Sequence, residues 1–480
     1  MLQLTDIKLS RALLMKWLLI IFMIKAAWFS FFIVFRDKNW FSEFVVKGIA
    51  IRGGDSVTYY YPIEKYINEG EYRGMCRMPG LMPVYLPLRW MMSEDSALVV
   101  MVFIQLAMDI LTTLLLAIIA ARVFGSAQHF KWTALLAAIS TFVSIRSNYL
   151  LSDSLCISSF IISIYFLTNY CIKAKWKWLL LSGLFLAWCL FLRPVMLIAI
   201  PFTALVLLYH HRRFFTALKS GIILLLPVGL LLSIWTMRNM SVFGRAVIFV
   251  APIEECMGQI TPEFNAIRGL IITMGEDFQP WSKGSAAEWF IQKKSKHLEE
   301  SPFSEKDFTT AYNLDSLNQL RMDYVLFTQE KNDSVRSVIG LDIQTRANHF
   351  TQTYKQEHAV RYWLINRLGF IRIFMFPSRI DDLPLPAVSE MNILQKLAKA
   401  GSYVLLLFVS ACSILSLLWF TWKRNWLAVL WALLPFSFII ILGYLGFIEQ
   451  RYLATAYPFM VMITCGFLIS LTQVFLKKKA

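Results

Sequence analysis

The stretch LLMKWLLIIFMIKAAWFSFFIVF, residues 13–35, interrupts an apolar run only with Lys16 and Lys25. At a rise of about 1.5 Å per helical residue, roughly twenty apolar residues cross a bilayer. No small-residue cleavage site follows, so the run reads as a membrane span and not as a removable signal peptide. The rest of the chain agrees. Its 480 residues are 57% hydrophobic and only 16% charged, with a mean hydropathy of +0.56. The pattern predicts an all-α polytopic membrane protein with about ten spans, near 14–35, 97–121, 132–147, 149–171, 178–192, 195–209, 216–237, 398–421, 426–447 and 452–474. Several runs between 132 and 209 are short, which predicts tilted or broken helices there.

The net charge of +16 raises the question of a nucleic-acid partner. Its distribution answers against one. Short basic segments around Lys8–Lys16, Arg122–Lys131, Lys173–Lys177, Arg212–Lys219, Lys423–Arg424 and Lys477–Lys479 hold 16 Lys/Arg and a single acid, Asp6. The loop 36–95 has eight basic and eight acidic residues, and region 238–400 has 19 of each. The excess therefore lies in short loops on one side, the positive-inside pattern. Both termini are expected in the cytoplasm and the two balanced segments outside it. The expected organisation is an N-terminal membrane module, 1–237, including the first outer loop 36–95, then a small, mostly helical extracytoplasmic domain, 238–395, and C-terminal membrane helices, 396–480. Within the domain, HAVRYWLINRLGFIRIFMFP reads as a helix lying at the membrane interface. The terminal KKKA fits a dilysine retrieval signal and equally a positive-side tail. Asn239 and Asn332 open sequons, which are common by chance.

The first outer loop is unusual for a connector. RGGDSVTYYYPIEKYINEGEY holds Asp55 after two glycines and then a tyrosine-rich helix pattern suited to the interface. RMPGLMPVYLPL reads as proline-broken and not regularly helical. Other ionisable groups fall at the same outer level: Asp153 in NYLLSDSL, Arg193 in FLRPV, Arg238 in WTMRNMSVFG, and Glu449 and Arg451 in GFIEQRYLATAYP. Each could cap or anchor a helix; together they suggest a site. Arginines at that depth suit a lipid phosphate, and a carboxylate beside it could accept a proton from an attacking hydroxyl. Glu64, Glu69 and Glu71 read as solvated charges. Lys25 and Asp109 lie at similar depth in the first two spans and are expected to pair. His210 and His211 read as cytoplasmic-side residues; His349 and His358 could share a site in the domain, though two unrelated residues is the simpler expectation. Cys76 and Cys256 fall in outer segments, where a disulfide or two separate thiols both fit, the latter being the simpler expectation. The other five cysteines lie in or beside spans, and no metal-binding spacing is present.

The loop pattern GGDSVTYYYPIEKYINEGEY..RMPGLMP, with LSDSL, FLRPVMLIAIP, WTMRNMSVFG and QRYLATAYP in that order, resembles GT-C glycosyltransferases of the protein O-mannosyltransferase and aminoarabinose transferase type. The resemblance covers about residues 10–250 well, the 390–475 helices by topology, and 250–390 hardly at all. It implies a polyprenyl-phosphate-linked sugar donor, inverting hexosyl or pentosyl transfer, and Asp55 as general base. Arg77, Arg193, Arg238 and Arg451 would then bind the donor phosphate, and Asp153, Tyr59, Tyr60 and Glu449 would line the substrate pocket. Some relatives use a divalent metal, for which no ligand spacing is evident here. Ser56 stands where protein mannosyltransferases commonly carry a second acid, and the large sugar-binding insert of eukaryotic relatives is absent. Mannose and a protein acceptor are therefore not carried over: the acceptor is a glycan, a lipid or a protein. The compact length favours a bacterial inner membrane. The competing readings are a transporter or flippase of lipid-linked sugars and a non-catalytic envelope assembly protein. The absence of an internal repeat weighs against the first.

Overall fold

The computed structural model describes residues 4–37, 45–53, 55–72, 74, 76–251, 261–279, 284–291, 301–378, 380, 383–446 and 449–477. Among them, eight helical stretches are long and apolar enough to cross a membrane. The helices relevant below are α1 (Arg11–Val34), α2 (Ser56–Glu69), α3 (Met82–Met91), α4 (Glu94–Phe124), α5 (Ala127–Ile139), α6 (Asp153–Lys173), α7 (Trp176–Leu192), α8 (Ala199–His211) and α9 (Phe214–Phe243). They continue with α10 (Pro262–Met274), α11 (Leu314–Gln329), α12 (Asp333–Glu357), α13 (Asn366–Met375), α14 (Ile393–Trp422), α15 (Trp426–Tyr444) and α16 (Gln450–Lys477). The protein is an all-α polytopic membrane protein; its one sheet among the described residues is the two-residue hairpin Val45–Val46 with Ala50–Ile51.

The short spans are short for local reasons. The fifth apolar run is α7, only 17 residues long. The third breaks into α5, a four-residue turn at Thr141–Ser144 and a 3-10 turn at Ile145–Asn148. Ser140, extended at φ −71° and ψ 115°, separates the first two pieces. In the first outer loop, α3 corrects the expectation of irregular chain. Pro83 falls in the first helical turn, where a missing N–H costs nothing, and Pro87 one turn later faces the carbonyl of that same proline.

The chain forms two compact units. The first comprises residues 1–250, 375–441 and 449–480; the second comprises 251–374 and 442–448. In the first, α7 and α9 approach closely at Gly183: a Cβ there would lie 1.9 Å from the Leu224 carbonyl oxygen. The second is built on α10, α11 and α12 around Ile267, Leu270, Leu317, Leu320, Ile343 and Tyr354, with Trp289 and Phe290 filling one end. Asp307, fully buried, is neutralised by Arg361 at 2.9 Å. His358 bonds the Phe308 carbonyl oxygen at 2.8 Å and makes no described contact with His349. Residues 361–365 form a π-turn leading into α13, with Trp363, Leu364 and Leu368 exposed.

Deep between α1 and α4, Lys25 Nζ lies 3.1 Å from Asp109 Oδ1 and 2.9 Å from Oδ2, and donates to Ser144 Oγ at 2.8 Å. Both side chains are essentially inaccessible. Breaking such a pair leaves one charge stranded at a cost of about 3–5 kcal/mol. Asp109→Asn should therefore lower the thermal unfolding temperature of the detergent-solubilised protein and its abundance in membranes. Replacing Lys25 and Asp109 together by apolar residues should restore much of the loss. An unchanged Asp109→Asn melting curve would remove the pair from the stability of the bundle.

Candidate active site

Asp55 is placed by contacts that begin in the hairpin. Ile51 bridges to Tyr149, and Leu150 N–H donates to the Ile51 carbonyl at 2.9 Å. Gln105 of α4 holds the other side of that turn, donating to the carbonyls of Ser147 and Tyr149. The chain then turns through Gly53, whose N–H donates to Ser56 Oγ at 2.8 Å while Ser56 N–H returns a bond to the Gly53 carbonyl. Ser56 thus shapes the turn at the position where a second acid was noted as missing. Asp55 precedes α2 but makes no side-chain cap bond, which leaves its carboxylate for other partners.

Those partners are arginines. Arg451, in the first turn of α16, donates through Nη1 to Asp55 Oδ2 at 2.5 Å. Arg77 Nη2 lies 3.5 Å from Oδ1. Arg451 Nε also meets Glu449. Arg77 is aimed by Thr58, whose hydroxyl accepts from its Nε at 3.0 Å and donates to the Asp55 carbonyl at 2.7 Å, and by the Tyr59 ring 4.7 Å below its guanidinium. Deeper lies a second pair: Arg193, at the end of α7, donates to Asp153 Oδ2 at 2.5 Å. Asp153 is the first residue of α6, and its carboxylate serves Arg193; no side-chain cap bond forms at that helix start. The Tyr452 ring lies 5.4 Å from Arg193 and 5.6 Å from Arg451, joining the two pairs. Burial alone would raise the Asp55 carboxyl, but Arg451, then Arg77, outweigh it and hold it below its ordinary value of 3.8.

The glycine of Arg77-Met-Pro-Gly has a steric reason. A Cβ at Gly80 would lie 2.4 Å from the Phe191 backbone, and Trp188 Nε1 donates to the Gly80 carbonyl at 2.8 Å. The loop therefore docks on the last turn of α7, one residue before Arg193. Next to it, Pro83, Pro87 and Trp90 of α3, Trp188 and Phe191 of α7 and Leu231 of α9 line an apolar groove of about 720 Å³.

Arg238 forms a separate centre. Its neighbours in WTMRN fasten the chain after α9: Trp235 donates to the Phe249 carbonyl and Asn239 to the Val247 carbonyl. Arg238 itself lies against Tyr72, Trp235 and Phe243, bonds the Gly74 carbonyl and Asn239, and leaves Nη2 without a hydrogen-bond partner. Tyr72 connects it to the Asp55 cluster, donating to the Arg77 carbonyl at 3.4 Å.

Not every sequence expectation lands here. Tyr60 turns away and packs edge-on against Tyr85, 4.7 Å between centroids. Glu64 is not a solvated charge: Arg89 grips it through Nε at 2.6 Å and Nη2 at 2.9 Å, and Tyr85 donates to it at 2.6 Å, clamping α2 to α3. Missed from sequence were Thr58, Tyr452 and Tyr72, whose signal is only their proximity to the chosen residues. Cys76 is disulfide-bonded, and Cys256 lies outside the described residues. Among the described residues no three His, Cys, Asp or Glu side chains gather as a metal site. Asp55, Asp153 and Glu449 each already face a guanidinium, a donor set that does not suit a divalent cation.

Residues 86–236 match the family model for dolichyl-phosphate-mannose-protein mannosyltransferase. Over this segment the chain is similar to GT-C membrane glycosyltransferases. The matched segment contains Asp153 and Arg193 and excludes Asp55, Arg77, Arg238 and Arg451. No curated protein gives a significant match. Among solved structures, the archaeal oligosaccharyltransferase AglB from Archaeoglobus fulgidus, in complex with an inhibitory peptide and a dolichol-phosphate, aligns at 12% identity and a TM-score of 0.42. The alignment covers 96% of this chain and 51% of that one, so this chain spans about half the length of that protein.

Because the folded-state value of Asp55 is depressed, its ion pairs stabilise the protein above the ordinary carboxylate range, and that contribution is lost as pH falls through the lowered value. The melting-temperature difference between wild type and Asp55→Asn should be constant near about pH 7 and shrink towards about pH 3. A difference independent of pH would show that the carboxylate charge is not what holds the loop.

Proposed function

We propose that the protein is an integral-membrane glycosyltransferase. It moves a hexose or pentose from a polyprenyl-phosphate carrier to a glycan, lipid or protein acceptor on the extracytoplasmic side, with inversion and with Asp55 as general base. The carrying observation is one carboxylate held in an outer loop between arginines of two different elements, beside an apolar groove. The groove walls suit an isoprenoid chain, and the guanidinium of Arg77, three residues before the groove-lining Gly80, suits the phosphate. Arg77, Arg451 and Arg238 take the phosphate in this reading, while Arg193 and Asp153 form the floor that fixes Tyr452 and the foot of α16.

The transfer is a single displacement. The acceptor hydroxyl oxygen attacks the anomeric carbon and forms the new glycosidic bond as the bond from that carbon to the phosphate oxygen breaks. The hydroxyl proton passes to Asp55, and the lipid phosphate leaves with its electron pair. Phosphate is already a stable anion, so guanidinium stabilisation replaces a general acid. A weakly basic carboxylate suffices, since the hydroxyl becomes strongly acidic only as the bond to carbon forms. The basic-loop distribution supports cytoplasmic termini and an extracytoplasmic site, and the lack of the large insert of eukaryotic relatives favours a bacterial inner membrane, with surrounding lipid as the donor's reservoir.

The test is a comparison of cells carrying wild-type protein with cells carrying Asp55→Asn at equal abundance. Mass spectrometry follows polyprenyl-phosphate sugars, surface glycans, glycolipids and glycoproteins together. One lipid-linked sugar should accumulate while one product loses a residue of the same mass. If deletion of the protein alters these pools and Asp55→Asn does not, Asp55 is not the base, and transport or assembly becomes the better account.

A further inference from the structure

The Asp55 cluster contains a contradiction that its geometry resolves. A carboxylate engaged by guanidiniums is a weakened and sterically occupied base, and Oδ2 of Asp55 is bonded to Arg451 while Oδ1 lies 3.5 Å from Arg77. The phosphate-binding arginines are, in turn, neutralised by the base. Asp55, Asp153 and Glu449 balance Arg77, Arg193 and Arg451, so the Asp55 cluster itself carries no excess charge for an anion, and Arg238 in the adjoining centre is the one proposed phosphate ligand with no described carboxylate contact.

Resting on the reading above, we propose that Asp55 is a built-in competitor for the donor phosphate, and that phosphate binding exchanges partners at Arg451 and Arg77 and so releases Asp55 to act as the base. The contacts separate into those that would be exchanged and those that would stay. Arg451 hydrogen-bonds Asp55 through Nη1 but forms its ion pair with Glu449 at the Nε side, so the guanidinium keeps a charge partner after Nη1 changes partner. Arg77 reaches Asp55 through Nη2 but is positioned by Thr58 through Nε and by the Tyr59 ring, neither of which depends on the Asp55 carboxylate. Asp55 has no cap bond to break and keeps its backbone contact to Thr58, so its side chain can rotate without unravelling α2. A phosphate offers the same paired oxygens that a carboxylate presents to a guanidinium. Asp153 cannot play this part: it is almost inaccessible beneath the cluster and is paired with Arg193. Coupling the base to the phosphate in this way keeps the Asp55 carboxylate engaged by Arg451 until a donor is seated, which limits wasteful activation of water.

The proposal makes an unusual demand on the variant that removes the base. Asp55→Asn cannot compete for the guanidiniums, so it should bind farnesyl phosphate at least about tenfold more tightly than wild type. The gain should be absent with farnesol, which has the tail and no phosphate. Purified full-length protein in nanodiscs, titrated by calorimetry, measures both, and Arg451→Gln should weaken farnesyl phosphate binding. Thermal unfolding reports whether Asp55→Asn is folded; it should melt lower than wild type and gain more from farnesyl phosphate. If a folded Asp55→Asn binds no tighter while Arg451→Gln binds weaker, the exchange is wrong and the donor reading stands. If neither wild type nor Asp55→Asn binds farnesyl phosphate, both fail.

Discussion

Charge in a low-dielectric interior must be paired, and the architecture depends on how this chain meets that demand. Outside its basic loops and its two charge-balanced segments, 36–95 and 238–400, the charged residues are Lys25, Arg146, Arg193, Arg451, Asp109, Asp153 and Glu449. Each of these acids meets a base drawn from the same set: Lys25 with Asp109, Arg193 with Asp153, Arg451 with Glu449. Each pair except the last joins separate helices, so a charge that lipid would exclude becomes a fastening between elements. The first pair ties α1 to α4. The second ties the start of α6 to the end of α7 and makes a firm floor beneath the Asp55 cluster.

On that floor the site is assembled from pieces far apart in sequence. The separation from Asp55 to Arg451 is almost the whole chain, and the two meet because α16 begins at the level where the first outer loop lies. Small groups make the loop fit. Gly80 lets it touch the α7 backbone, Ser56 closes the turn before α2, and the Glu64–Arg89–Tyr85 clamp fixes α2 against α3. None of these touches Asp55's carboxylate, yet moving any of them would move it.

The polar and apolar parts of the site are continuous through one short segment. Arg77 and Gly80 are three residues apart; the first faces Asp55, and the second opens the wall of the groove. Under the proposed function this junction suits an amphiphile with an anionic head, whose phosphate would meet guanidinium and whose tail would be sheltered from water.

The sequence alone determined the class. Span-length apolar runs, basic loops confined to one side and a polar, tyrosine-rich outer loop are local or one-dimensional signals, and they state what can cross lipid and what cannot. They also marked Asp55, Asp153, Arg193, Arg238, Glu449 and Arg451, because ionisable groups at span ends are few enough to notice. What only the tertiary structure decided was who pairs with whom. Asp153 looked equally like a helix cap and a ligand; its partner is Arg193, forty residues on in α7. Arg238 looked equivalent to Arg451 but belongs to a separate aromatic centre reached through Tyr72. Glu64 looked solvated and is clamped; Tyr60 looked exposed to a pocket and is packed under Tyr85. Periodicity gives the face of a helix, but a pairing depends on the rotation and depth of two elements at once, which only the packed bundle fixes.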